Sequence, residues 1–194
     1  MPKAGVAIID SGVNPRHPHV HGVAGGRGFI AGEPESDFLD ILGHGTAVAG
    51  AICEKTPHVS LYVAKVFHRQ LVTSIDVLLA AFDWCLDQPV ALINLSLGTP
   101  NEVHREAFAM RVAAATASGI RIVGAAGVLP GTLPGVIAVS WDDSISRDTY
   151  GANYAACGWP RPIPGRPANQ NLHGISFAVA NVTGCLARDL YEQA

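Results

Sequence analysis

The hydrophobic residues of this chain form short β-branched runs that alternate with longer segments in which apolar residues recur at helical spacing. The short runs predict five strands, over residues 5–9, 60–66, 91–95, 121–125 and 135–140. Strands that alternate with helices are typical of α/β folds with a mostly parallel sheet. We therefore predict a three-layer α/β/α sandwich with a mostly parallel central sheet.

Residues 73–87 show the clearest helical pattern. Thr73 is placed to cap the amino end of this helix, and Asp76 stands in the capping-box position three residues later. The apolar residues that recur at helical spacing are Leu78, Ala81, Phe82 and Cys85.

Three other segments are also predicted to be helical. Residues 102–118 begin after Asn101 and stop at Gly119, a residue type that often ends helices. Further helical runs cover residues 47–53 and 176–190. By contrast, residues 144–170 are rich in Gly, Pro, Asn and Arg without a sustained period, which predicts a surface loop with at most a hairpin.

Composition limits the size and the partners of the molecule. Of the 194 residues, 48% are hydrophobic and 15% are charged, so that a sizeable core can be buried. We predict one domain over residues 1–194. The formal net charge is −3 and the basic residues are scattered, so that neither nucleic acid nor an anionic membrane is expected as a partner.

No apolar stretch approaches the roughly 20 residues that are needed to cross a bilayer. The longest ones, such as residues 120–129, are interrupted by Arg or Gly. Near the amino terminus, the apolar run from Val6 to Ile9 is too short for the hydrophobic region of a signal peptide. We therefore expect no membrane span and a cytoplasmic location for the chain as given.

The chain has four cysteines, and their spacing fits neither a CxxC motif nor a Cys/His metal site. Free cysteine packs as a small hydrophobe, so we expect Cys53, Cys85, Cys157 and Cys185 to be buried free thiols. A disulfide between Cys53 and Cys185 is the alternative, because the helices that carry them should lie close together.

Three polar residues stand near glycines at the ends of predicted elements. Asp10 ends the first strand, at the carboxyl end where α/β folds place their sites. His44 lies between two glycines at the start of a helix, and Ser176 opens another helix. Taken singly, Asp10 is also a typical turn former, and His44 and Ser176 are typical capping residues.

Taken together, these residues supply the groups that acyl transfer by serine requires. The reaction needs a hydroxyl nucleophile, an imidazole that takes and returns its proton, and a carboxylate that orients the imidazole. A helix amino terminus also presents free amides and a positive dipole end to a developing oxyanion. We therefore predict Asp10, His44 and Ser176 as a catalytic triad.

The sequence around each of these residues resembles a motif of the subtilisin-like serine peptidases, or subtilases. The three matching segments are Ala7-Ile8-Ile9-Asp10-Ser11-Gly12, His44-Gly45-Thr46 through Gly50, and Gly174-Ile175-Ser176-Phe177-Ala178. Their order, Asp then His then Ser, is the order found in subtilisin. The resemblance implies a subtilisin-like fold and serine peptidase chemistry.

Two further segments match in the order of the family. Asn94-Leu95-Ser96-Leu97-Gly98 resembles the segment whose backbone binds substrate as an added strand. Gly124-Ala125-Ala126-Gly127 resembles the lining of the primary specificity pocket. The resemblance therefore implies substrate binding by Ser96, Leu97, Gly98, Ala125, Ala126 and Gly127.

The chain departs from the family at the two side chains that support the oxyanion hole. The family has an amide-donating Asn after the pocket segment and a Thr before the nucleophile, whereas this chain has Val128 and Ile175. Losing such a donor typically costs about 2.7–4 kcal/mol in the barrier, so we expect reduced activity. The N–H of Ser176 remains as a donor, and candidate replacements for the amide are Asn153, Asn169 and Asn171.

The resemblance also implies what is missing. After Cys53 the chain runs directly to the next strand, without the calcium-binding loop that many relatives insert there. We expect no metal at that place, no cofactor, and folding without a propeptide. Short loops imply an open, shallow cleft for a peptide or protein substrate, with specificity supplied by a partner protein or by a recognition segment of the substrate.

Two functions remain open at this point. The first is a serine endopeptidase that hydrolyses, or transfers at, peptide bonds through an acyl-enzyme on Ser176, in limited processing of a specific peptide or protein. The second is a catalytically impaired pseudopeptidase that acts as a peptide-binding or scaffolding subunit. The altered oxyanion positions favour the second function, and the intact triad favours the first.

Overall fold

A computed structural model describes residues 5–193 and shows a seven-stranded sheet between two layers of helices. In spatial order the strands run β2-β3-β1-β4-β5-β6-β7, and every neighbouring pair is parallel. The predicted α/β/α sandwich is therefore confirmed. The strands are β1 (Gly5–Asp10), β2 (Val23–Gly28), β3 (Ser60–Lys65), β4 (Leu92–Leu95), β5 (Arg121–Ala125), β6 (Val136–Trp141) and β7 (Ala155–Ala156).

Four α-helices cover the two faces of the sheet. Helices α1 (His44–Lys55) and α4 (Ile175–Glu192) contribute to one hydrophobic core. Helices α2 (Ile75–Leu86) and α3 (Arg105–Ala117) contribute to the core on the other face. Within the described residues, no helix is both long enough and apolar enough to cross a membrane.

Strand β1 shows why the strands read as continuous apolar runs. Val6 and Ile8 join the core beneath α1 and α4, whereas Ala7 and Ile9 join the core beneath α2 and α3. All four side chains are fully buried. A central parallel strand is covered on both faces, so it needs no polar alternation.

The five predicted strands are confirmed to within one residue at each end. Strand β2 was not predicted, because its sequence contains Gly25 and Gly26 in place of β-branched residues. The structure explains Gly26: a side chain there would overlap the ring of Phe38, which packs on the strand. Tertiary packing therefore selects glycine at a position where strand propensity disfavours it.

Two local details differ from the sequence analysis. Residues 144–170 contain no hairpin, and their strand β7 pairs in parallel with Ser140 and Trp141 at the end of β6. The cap of α2 is Ser74, whose hydroxyl accepts a hydrogen bond from the N–H of Val77, and Thr73 lies one residue outside the cap.

The structure also decides between the two predictions for the cysteines. All four cysteines are buried free thiols, as we expected. Helices α1 and α4 pack against each other, but Cys53 and Cys185 form no disulfide, so that alternative was wrong.

The topology gathers several element ends at one edge of the sheet. Strand β1 lies between β3 and β4, so that the sheet extends from β1 in opposite directions, to β3 and β2 on one side and to the strands from β4 to β7 on the other. Such a switch point leaves a crevice at the carboxyl ends of the strands, where α/β proteins place their ligands. Asp10 ends β1 at this edge, and α1 begins there with His44.

Candidate active site

Asp10, which is fully buried, and His44, which is partly buried, form a pair at the carboxyl end of β1. The distance between Asp10 Oδ1 and His44 Nδ1 is 2.7 Å, and the same oxygen accepts the N–H of Ser11 at 2.7 Å. A carboxylate only accepts hydrogen bonds, so Nδ1 of His44 carries the proton and donates it. In the neutral imidazole, Nε2 is then left as the basic nitrogen.

The glycine after His44 is required by this close approach. A side chain at Gly45 would overlap the carbonyl oxygen of Gly12 and would lie 3.2 Å from Asp10 Oδ1. The absence of a side chain therefore lets the first turn of α1 rest directly on the end of β1.

Asp40 holds the start of α1 in place, and sequence reasoning missed it. Its Oδ1 accepts hydrogen bonds from the N–H groups of Leu42 and Gly43 and from the hydroxyl of Ser11, each at 2.9 Å. Its Oδ2 accepts from the N–H and the hydroxyl of Thr46, at 2.8 and 2.6 Å. One carboxylate therefore satisfies free amides at the helix start and ties them to the residue after Asp10.

These two carboxylates control the charge of His44. Burial of the imidazole lowers its pKa, but the hydrogen bond and charge of Asp10, together with the charge of Asp40, raise it more. The pKa of His44 therefore lies above its ordinary value, as expected for an imidazole beside negative charge.

Ser176 is the second residue of α4 and is hydrogen-bonded to Ser96 through two contacts. Its hydroxyl donates to the carbonyl oxygen of Ser96, and the hydroxyl of Ser96 donates to the carbonyl oxygen of Ser176, both at 3.1 Å. The amide of Asn94 donates to Ser96 Oγ at 2.8 Å. No hydrogen bond joins Ser176 and His44 among the described residues, although the ring of His44 lies 5.4 Å from that of Phe177.

The turn before Ser176 is anchored by a second His–Asp pair, which sequence reasoning did not assign. His173 Nε2 lies 2.7 Å from Asp143 Oδ2, and the ring stacks on Trp159 at 3.8 Å between centroids. Asp143 also accepts the N–H of Gly158, whose carbonyl accepts the N–H of Gly174. The cluster therefore fixes the backbone that delivers Ser176.

The predicted substrate edge has free backbone groups. Thr99 pairs with Leu129 through two hydrogen bonds, of 2.9 and 3.0 Å, whereas Leu97 and Gly98 have no backbone partner within the described residues. A peptide could therefore pair with Leu97 and Gly98 as an added strand.

The altered oxyanion positions lie beside this edge. A side chain at Gly98 would meet Cγ2 of Val128 and the carbonyl oxygen of Leu129, so that Val128 packs directly against Gly98. The side chains of Val128 and Ile175 carry no donor. Over residues 5–193, the N–H of Ser176 has no assigned acceptor, which leaves it free for an oxyanion.

The asparagines proposed as replacement donors receive no geometric support. The amide of Asn171 already donates to the carbonyl oxygen of Arg161. Asn153 precedes Tyr154, which lines a pocket with Asp189 near the end of α4. Since Asp189 follows Ser176 by thirteen residues on this helix, the two lie roughly 20 Å apart. Asn169 is exposed, in a short 3₁₀ turn.

No group of three or more His, Cys, Asp or Glu side chains in residues 5–193 is arranged to hold a metal ion. The structure is a three-layer α/β protein with an Asp–His pair and with a serine at a helix start. Serine hydrolases use this arrangement. The sequence comparisons narrow this class. The family model described as "Subtilase family" matches residues 3–192, and the chain belongs to that family.

Individual relatives agree with the family match. The chain is 30% identical to a thermostable alkaline protease of Halalkalibacterium halodurans, over 95% of the chain and 56% of the relative. It is 31% identical to subtilisin DY of Bacillus licheniformis, over 94% and 74% respectively. It is 28% identical to subtilisin E of Bacillus subtilis, over 92% and 51%. The chain therefore spans about half to three quarters of the length of these relatives.

Proposed function

We propose that the protein is a serine endopeptidase that hydrolyses, or transfers at, peptide bonds. The observation that carries the proposal is the 2.7 Å contact between buried Asp10 and partly buried His44, at the sheet edge that also receives Ser176 in a member of the subtilase family. A buried aspartate that fixes the imidazole tautomer is the arrangement that serine catalysis needs.

The reaction follows from the roles of these three groups. Ser176 Oγ attacks the substrate carbonyl while its proton passes to Nε2 of His44. His44 then gives the proton to the leaving amine as the C–N bond breaks, and Asp10 stabilises the imidazolium that forms in between. Water, or another amine, takes the acyl group from Ser176 in the second half of the reaction.

The resting position of Ser176 is compatible with this role. Its hydroxyl donates to the carbonyl of Ser96, so it must rotate toward His44 before attack. Catalytic hydrogen bonds are often long or unformed in free enzymes and tighten when substrate binds.

The predicted substrate-binding residues suggest a selective enzyme. Leu97 and Gly98 offer free backbone groups to an extended peptide, and Val128 fills space against Gly98. We propose limited processing of a specific peptide or protein that pairs with this edge.

A fluorophosphonate probe tests the proposal directly. Wild-type protein should form an adduct on Ser176, detected by mass spectrometry of the modified peptide. The variants Ser176→Ala and His44→Ala should not be labelled, while Arg105→Gln on the far side of the sheet should be labelled like wild type. Absence of any adduct at a pH where His44 is neutral would overturn the peptidase proposal and leave the pseudopeptidase as the function.

A further inference from the structure

A pocket of about 500 Å³ opens beside the start of α1. This volume is within the range of pockets that hold small ligands. Gly43, Thr46 and Ala47 form one wall, directly next to His44. The facing wall carries cationic and imidazole side chains, namely Arg161, Arg166, His17 and His19.

The arginines of this pocket have no acidic partner. Neither Arg161 nor Arg166 has a carboxylate within ion-pairing distance among residues 5–193. Asp40 is the acidic side chain on the pocket wall, but both of its oxygens are occupied by the five donors of the α1 start. The pocket is therefore positive, in a chain whose formal net charge is −3.

Hydrogen bonding and packing hold the two histidines of the pocket in place. Nδ1 of His17 accepts the N–H of His19 at 3.2 Å, so that the proton of the neutral ring lies on Nε2. Burial, followed by the charges of Arg161 and His17, lowers the pKa of His19. His19 also packs on α1 at Gly50, where a side chain would lie 3.1 Å from its Cβ.

The pocket is also preorganised on both sides. The N–H of Asn14 donates to Thr46 Oγ1, which connects the segment that carries His17 to α1. On the other side, the amide of Asn171 donates to the carbonyl oxygen of Arg161. A ligand that enters therefore meets side chains on an already fixed backbone, which lowers the entropic cost of binding.

The pocket lies on the side of the site where His44 would meet the leaving amine. His44 delivers its proton to the leaving amine, and the pocket begins at the residue before His44. The free edge at Leu97 and Gly98 shares no residue with it and lines a separate cavity. A substrate segment that continues past the scissile amide on the side of His44 would reach Arg161 and Arg166.

We propose that this pocket binds a carboxylate of the substrate on the leaving-amine side of the scissile bond. Arginine recognises carboxylates with paired hydrogen bonds, and Arg161 and Arg166 are free to make them. This inference rests on the proposed peptidase function. The carboxylate comes either from an Asp or Glu side chain or from the end of the substrate chain, and the two sources are separable by experiment.

Cleavage of a random peptide library tests the inference. One library has acetylated amino ends and amidated carboxyl ends, and a second has free carboxyl ends. The proteins compared are wild type, the double variant Arg161→Gln/Arg166→Gln, and Arg105→Gln as a matched loss of one exposed arginine. Fluorophosphonate labelling counts the active sites in each sample, and mass spectrometry gives the residue frequencies around each cleaved bond.

In the blocked library, we expect Asp and Glu to be enriched about fivefold at one position on the amine side, as a partly exposed ion pair predicts. The double variant should lose the enrichment, and Arg105→Gln should keep it. Cleavage at a fixed distance from the carboxyl end, seen only in the library with free carboxyl ends and lost in the double variant, would assign the pocket to the terminal carboxylate. A cleavage profile with neither preference, or one that is unchanged in the double variant, would overturn the inference.

A binding arm separates failure of the pocket from failure of the chemistry. The Ser176→Ala protein is immobilised and the same libraries are passed over it, so that retention does not depend on turnover. If wild type cleaves nothing and is not labelled, the peptidase proposal fails, yet retention of acidic peptides that is lost in the double variant still supports the pocket. Retention without acidic preference would overturn the pocket by itself.

Discussion

Asp40 shows how one residue can set both the position and the charge of an imidazole, here that of His44, the proposed general base. Its carboxylate accepts five hydrogen bonds around the start of α1, and its charge adds to that of Asp10 in raising the pKa of His44. A general base acts in its neutral form, so activity should appear as the pH rises through this raised pKa.

The change Asp40→Asn should therefore move the acid limb of the pH profile of kcat/KM to lower pH. The charge is removed, so the pKa of His44 falls. The raised pKa of His44 stabilises the fold at pH values below the pKa that this residue has in the unfolded chain, and the contribution is lost as the pH rises through the pKa in the folded protein. The variant should therefore also lose stability at low pH. Asp76→Asn, on the other face of the sheet, should leave the limb in place. An unmoved limb in Asp40→Asn would contradict this role.

The resemblance to the family gives Val128 the place of an amide donor, so we expect the change Val128→Asn to raise kcat. One donor of this kind is worth about a hundred- to a thousandfold in kcat. Val128→Leu has a similar shape without a donor and serves as the control for altered packing against Gly98. Steady-state rates on the same peptide decide the matter: equal kcat in both variants would show that position 128 does not reach the oxyanion.

At the scale of elements, the turn into α4 depends on one unusual backbone conformation. Gly174 has a φ of 137°, in a region that other residues rarely adopt, and its N–H is held by the cluster around His173. The start of α4, which carries Ser176, is therefore fixed by backbone geometry as much as by packing.

The change Gly174→Ala should cost about 1–3 kcal/mol of stability and should also slow fluorophosphonate labelling, because relief of the strain displaces Ser176. Gly119→Ala is the matched control, since Gly119 also has a positive φ, of 73°, but follows α3. It should lose stability with an unchanged labelling rate. Equal labelling rates in both variants would show that the turn tolerates a side chain.

The cap of α2 gives a second prediction at this scale. Ser74→Ala removes the side-chain acceptor for the N–H of Val77, which should cost about 1 kcal/mol. In a chain of this size, that corresponds to a fall of roughly 2–4 °C in Tm. Thr73→Ala should lower Tm less than Ser74→Ala does. Thermal unfolding of the two variants checks this, and a larger fall in Tm for Thr73→Ala would make Thr73 the cap.

These elements also show what could be predicted from sequence. Asp10, His44 and Ser176 were predicted because each lies in a short local motif at an element end. Asp40 and His173 were not assigned, because their roles depend on contacts with residues distant in the chain, such as Ser11 and Asp143. Aspartate before a helix start was the available signal for Asp40. Nothing local distinguishes the pairing of His173.

At the scale of the whole molecule, the sheet separates two cores, and only one of them adjoins the site. Phe177 lies on α4 and packs next to His44, whereas Phe108 lies in the core of α2 and α3. Both rings are buried, with 2% and 0% of their surface exposed. The two faces should therefore respond differently to the same truncation.

Phe108→Ala and Phe177→Ala should each cost about 3–5 kcal/mol in the free energy of unfolding, measured with denaturant. Well below the unfolding temperature, only Phe177→Ala should slow fluorophosphonate labelling, because its cavity opens beside His44. Equal slowing in both variants would mean that the sheet transmits packing changes to the site.

The buried cysteines make the two faces separately observable. Burial raises the pKa of all four thiols, to about 11 for Cys53, so that almost no reactive thiolate exists in the folded protein at neutral pH. A thiol reagent should therefore react with the three helix cysteines, Cys53, Cys85 and Cys185, when the helix that carries each of them detaches from the sheet. The reaction rate of Cys85 should report the detachment of α2, and the rates of Cys53 and Cys185 should report the detachment of α1 and α4. Comparison of these rates would give the order in which the helix layers of the native chain come apart.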